Sequence, residues 1–78
     1  MGKGVSLAHM KGGQKGKICD IVGGETLHQK LAHIGIYKGK EIIKVNHVGL
    51  KGPVVVRVGR SILALGHTIA TKIMVDTL

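Results

Sequence analysis

The sequence contains neither phenylalanine nor tryptophan, and Tyr37 is the lone residue of the Phe, Trp and Tyr class. An interior without large rings must be filled by Val, Ile and Leu, whose branched side chains suit strands better than long helices. The same lack works against a single-strand nucleic-acid binder, which stacks successive bases on aromatic faces. Cys19 is the one cysteine, so an intrachain disulfide and a thiolate zinc cluster are excluded, and its plain reading is a small buried hydrophobe. Acidic side chains are scarce: Asp20, Glu25, Glu41 and Asp76 are scattered along the chain and offer neither a carboxylate pair nor a Ser, His and Asp set. The glycine pair in "VGGETL" is not followed by the Gly-Lys-Ser/Thr ending of a phosphate-cradling loop. No apolar run reaches the roughly 18 residues of a membrane span, and Lys3 is not followed by an apolar signal segment, so a cytoplasmic location is expected.

Basic residues and glycine are abundant. Twelve Lys and Arg against four Asp and Glu give a net charge of +8 in 78 residues, with 13 glycines among them. A chain of that length forms one small domain, here taken as 1–78 with its core over about 6–77, and glycine at that frequency implies short elements joined by tight turns. The positive field draws in nucleic acid, anionic lipid or an acidic protein face, and it opposes long-range capture of a free cation.

Hydrophobic periodicity divides the chain. Ser6 is placed to cap a short helical turn that puts Leu7 and Met10 on one side, and "KICDIV" (17–22) reads as the first strand. "GGETLHQKLAHIG" (23–35) is the clearest helix: Gly23 and Gly24 turn the chain into it, Thr26 and Gln29 have capping-box spacing, and Gly35 fits the left-handed stop. Leu27, Leu31 and Ile34 form its apolar stripe. Gly39 turns into a strand over 40–45, 46–53 is a loop, and Pro53 opens the next strand at an edge or first position. In "PVVVRVGRSILAL" a two-residue turn at Gly59 and Arg60 sets Val58 opposite Ser61, Val56 opposite Leu63 and Val54 opposite Leu65, an apolar inner face; Arg57 with Ile62 and Val55 with Ala64 make the outer one. "HTIA" forms a helical turn before a last strand over 71–77, which pairs back near the first. The sum is a mainly β, partly closed antiparallel barrel of about five strands, with one short helix inserted after the first strand.

The histidines are the remaining chemical groups. His28 and His33 lie about 140° apart around a helix and do not share a face for one metal. His9 lies near the start, His47 in the loop, and His67 marks the barrel's exit from the fourth strand. His28, His67 and Cys19 are the candidate ligands for a cluster assembled only by folding. For duplex nucleic acid, "TLHQKLAH" offers mainly Gln29 and Lys30, so no specific nucleic acid is expected and lysine contacts to phosphate would be salt-dependent.

From Ser6 to Val75, "SLAHMKGGQKGKI", "GGETLHQKLAHIGIYKGKEI" and "GPVVVRVGRSILALGHTIATKIMV" follow in order. With Leu7, Gly12 or Gly13, Ile18, Leu27, Leu31, Gly35, Gly39, Gly52-Pro53 and Ala64-Leu65, this set resembles the FeoA family of bacterial ferrous iron uptake and the similar domain ending some iron-dependent repressors. Family members often carry a basic residue after the Ala-Leu pair, where this chain has Gly66 and His67. The resemblance implies an SH3-like barrel, no enzymatic activity, and docking on the cytoplasmic G-protein domain of a FeoB-like membrane iron transporter, at the inner face of the membrane. Docking residues would be Tyr37, Lys38, Lys40, Val48, Leu50 and Lys51, basic or apolar positions that need not be buried. No cofactor is required; Fe(II) or another divalent metal is the ion that His28, His67 and Cys19 would take. Alternatives are a small basic nucleic-acid-binding barrel and a metal-sensing domain, and the open edge of such a barrel makes a second copy a candidate partner.

Overall fold

Six strands form one antiparallel sheet in a computed structural model that describes residues 4–49 and 51–77. In chain order they are β1 (Val5–Ser6), β2 (Lys15–Ile21), β3 (Glu41–His47), β4 (Val54–Val58), β5 (Ser61–Leu65) and β6 (Ile73–Thr77). A 3-10 turn (Leu7–His9) follows β1, helix α1 (Glu25–His33) joins β2 to β3, and helix α2 (His67–Thr71) joins β5 to β6. The spatial order β1-β6-β2-β3-β4-β5 brings the last strand back against the first two, as the terminal apolar run predicts. The sixth strand, β1, is only two residues long, too short for periodicity to register; because of it α1 follows the second strand.

The β4–β5 hairpin has the predicted register at all five pairs, from Val58 opposite Ser61 to Val54 opposite Leu65. Gly59 has φ +62° and among the described residues none other than glycine has positive φ, which matches a turn with glycine in its first central place. Val54, Val56, Val58 and Leu65 are buried and Leu63 packs against the core from a half-buried position. Leu7, Ile18, Ile36, Ile42, Ile73 and Val75 complete an interior of branched aliphatics.

Helix α1 differs from expectation at both ends. Its N-cap is Gly24, with no side-chain capping bond; Thr26 therefore lies one residue inside the helix, where its hydroxyl is not aimed at the free N–H groups. At the other end Gly35, at φ +90°, donates its N–H to Ala32 O at 3.0 Å while Ile36 N–H donates to Leu31 O at 2.9 Å, the Schellman pair that left-handed glycine permits. That turn rotates Ile34 out of the helical stripe, leaving it 43% exposed, and drives Ile36 into the core in its place. Leu31 is buried and Leu27 packs against the core as the stripe requires.

Two bulges bend the sheet. Pairing shifts between Ile18 and Asp20 in β2, and between Lys44 and Asn46 in β3. Cys19 is exposed rather than buried, because it follows the inward-facing Ile18 and so falls on the outer side of the alternation; the bulge there leaves Asp20 outside as well and returns Ile21 to the core. β3 also runs two residues beyond its predicted end, through His47.

Gly16 sets how closely β2 and β6 approach. A Cβ there would meet Val75 Cγ1 and lie 2.7 Å from Asp76 O and 3.1 Å from Thr77 Cα, so main chain would have to move. Gly16→Ala is expected to lower unfolding free energy by about 1–3 kcal/mol, measured by urea denaturation; an unchanged midpoint would show that the two strands separate freely.

Candidate functional site

The bulge at Val45 has a chemical consequence. In an unbroken strand residues three apart face opposite sides. Here the inserted residue lets both Lys44 and His47 face inward, opposite the fully buried Val56 and Val54. Lys44 is 2% exposed. Its ammonium donates to Ala8 O at 2.9 Å and Met10 O at 2.6 Å, and its third N–H faces His47 Nδ1 at 3.4 Å. Three donors thus meet three acceptors, and the two carbonyls belong to the 3-10 turn segment that follows β1. Burial pushes the Lys44 ammonium below the ordinary lysine range, since desolvation penalises the charged form.

His47 in turn packs on His67, the first residue of α2, with ring centroids 5.5 Å apart and planes 24° from parallel. His47 Nε2 and His67 Nδ1 are buried with no hydrogen-bond partner. Nearly parallel rings do not aim their nitrogens at one point, and the neighbouring ammonium repels a cation; this pair is a packing contact. His67 does stand where the chain leaves β5, as its sequence position suggests, and it has a partner the sequence did not indicate.

The other candidate ligands lie elsewhere. His28 Nε2–H donates to Ile21 O at 2.8 Å, and Cys19 lies in β2 with its thiol beside Gly4. The structure does not bring His28, His67 and Cys19 together: among the described residues no group of three or more His, Cys, Asp and Glu side chains could hold a metal ion.

The candidate docking residues are on the outside. Tyr37 is 47% and Val48 54% exposed; Lys38 and Lys51 are exposed, and Lys40 is half-buried. Leu50 lies outside the described residues. Tyr37 and Lys40 border an open cleft of about 370 Å³ completed by Gly39, Glu41, Ile43, Arg57 and Gly59. Ile43 and Arg57 are contributions that a reading of loops alone misses, because they come from the outer faces of β3 and β4. Among the described residues no helix is long and apolar enough to cross a membrane.

Comparison with known proteins agrees with this architecture. A family model described as the FeoA domain matches residues 5–77. The crystal structure of an iron uptake regulatory protein (FeoA) is similar with TM-score 0.87 and 33% identity, covering 97% of this chain and 99% of that one. The solution structure of a FeoA-like protein from Clostridium acetobutylicum is similar with TM-score 0.85 and 28% identity, over 100% and 91% of the two chains. A manganese-dependent transcriptional repressor shares the fold with TM-score 0.90 at 20% identity, over all of this chain and 44% of its own. A search of curated protein sequences finds no match.

Lys44→Met is expected to lose about 2–4 kcal/mol of unfolding free energy, because it strands two buried carbonyls without a donor. The folded chain holds this proton less tightly than the unfolded one, so the unfolded state binds more protons between the depressed folded value and the ordinary one. Stability contributed at Lys44 therefore rises with pH through that window. Urea titrations of both proteins from neutral pH to about 10 check this: the wild type gains on the variant as pH rises, and parallel curves would contradict the assignment.

Proposed function

This chain belongs to the FeoA domain family, and from that membership we propose that it is a non-enzymatic accessory protein of bacterial ferrous iron uptake, acting in the cytoplasm by contact with the FeoB-like membrane iron transporter. The observation that carries this reading is the division between inside and outside. The barrel interior is filled with aliphatic side chains, and the Lys44 ammonium buried in it is occupied by two main-chain carbonyls and a histidine. The outside presents exposed apolar side chains, Tyr37 and Val48, on a basic surface with Lys38, Lys40 and Lys51.

Such a surface suits a partner with an acidic face. Long-range attraction speeds encounter, and burial of the tyrosine and valine provides the affinity that survives salt. The related crystal structure is that of an iron uptake regulatory protein, which supports a controlling role in transport over a catalytic one. The G-protein domain on the cytoplasmic side of the transporter is the proposed docking site, and it would hold this protein at the inner face of the membrane.

Purified protein is expected to bind the isolated cytoplasmic domain of the transporter at low salt in at least one nucleotide state, with Tyr37→Ala and Val48→Asp each weakening binding about tenfold. Calorimetric titration reads this directly. Failure to bind in either nucleotide state, alongside binding to RNA of comparable strength, would replace this role by that of a basic nucleic-acid binder.

A further inference from the structure

The ladder aligns four outward side chains across four strands. Lys15 of β2 is opposite Ile43 of β3, Ile43 is opposite Arg57 of β4, and Arg57 is opposite Ile62 of β5. Their neighbours Gly16, Ile42 and Val56 point inward and are buried, which fixes the row on the outer face. With strands about 4.8 Å apart, the row is about 14 Å long. Ile43 and Arg57 also line the cleft bordered by Tyr37 and Lys40, so row and cleft make one continuous strip. Cation and branched aliphatic alternate along it, and Ile62, on an outermost strand, is 60% exposed.

Charge on this strip is not cancelled within the ladder. Arg57 has isoleucine on both sides, and Glu41, the acid in the cleft, is opposite Lys17. We infer that this strip, Lys15, Ile43, Arg57 and Ile62 with Tyr37 and Lys40, docks an extended acidic and apolar segment of a partner protein. The inference deepens the transporter-contact role proposed above and rests on it for the partner's identity. A segment of about seven extended residues covers the row, with every second side chain facing the strip. Carboxylates meet Lys15 and Arg57, with bidentate pairing available at the guanidinium, while apolar side chains cover Ile43 and Ile62. A free phosphate satisfies the cations and leaves the isoleucines in water. A nucleic acid needs more stacking faces than Tyr37 provides.

The test is an amide chemical-shift titration with a short synthetic peptide of Asp-Ser-Leu-Ser repeats, whose every second side chain alternates aspartate and leucine on one face. Parallel titrations use the same peptide with lysine in place of aspartate, inorganic phosphate and vesicles of anionic phosphatidylglycerol. Shifts are expected to concentrate on the six named residues with the acidic peptide only, and Arg57→Glu and Ile62→Asp are each expected to weaken it about tenfold while leaving the thermal midpoint near that of the wild type, since both side chains are exposed. Shifts spread over all lysines, equal shifts with phosphate or vesicles, or variants that bind as well as wild type would each overturn the strip. The same variants in the transporter-binding assay separate the two ideas. Undiminished binding by both removes the strip from the transporter contact and leaves the role standing; loss of wild-type binding with the peptide response intact removes the role and leaves the strip.

Discussion

A buried ammonium with three acceptors ties the segment after β1 to the sheet. The Lys44 side chain reaches from the inward face of β3 to the carbonyls of Ala8 and Met10, which flank the end of the 3-10 turn where main-chain acceptors have no helical partner. A charge out of water is expensive, and it persists here because each of its hydrogens faces an acceptor. The contact pins the 7–10 segment over the core, so that Leu7, Ala8 and Met10 are buried against the strands. It also orients His47, through which α2 is packed at His67. Two separate pieces of chain meet at one nitrogen, and a third, α2, is reached through His47.

With its interior filled in this way, the protein carries its chemically varied groups on the outside. Small size explains much of this: a domain of 78 residues has little volume to give to an enclosed site without losing the burial that stabilises it. What it can offer is a patterned surface. The outer faces of β3, β4 and β5 combine cations with exposed branched aliphatics, and the turn at Gly39 brings Tyr37 and Lys40 alongside. In the proposed transporter contact the charge balance would act at long range and these side chains at contact, so that one surface would serve encounter and retention together.

Sequence legibility follows how local each signal is. The β4–β5 register was readable to the residue, because a one-place slip would expose Val54, Val56 and Leu63 together. Leu27 and Leu31 were readable from helical spacing, and Gly35 from the stop it permits. Thr26 and Gln29 misled because capping-box spacing recurs inside helices; the cap went to Gly24 once the chain's path off β2 set where the helix begins. Cys19 was misplaced because its residue type suggests burial, whereas its place beside the inward-facing Ile18 puts it on the outer face. Lys44 was invisible for a different reason: it shares the inward face of Ile42, but no hydropathy pattern buries a lysine when Ile43 and Val45 stand on either side as the apolar alternative.

The sequence alone determined a β-rich domain filled by aliphatics, its hairpin register, its single longer helix and its basic exterior, because these depend on composition and on contacts between neighbours in the chain. The tertiary structure decided the rest: the bulge that turned Lys44 and His47 to one side, the stacking of His47 on His67, and the alignment of Lys15, Ile43, Arg57 and Ile62 across four strands. Each of these joins residues distant in sequence, and their meeting is set by how strands pair and bend, which no local pattern records.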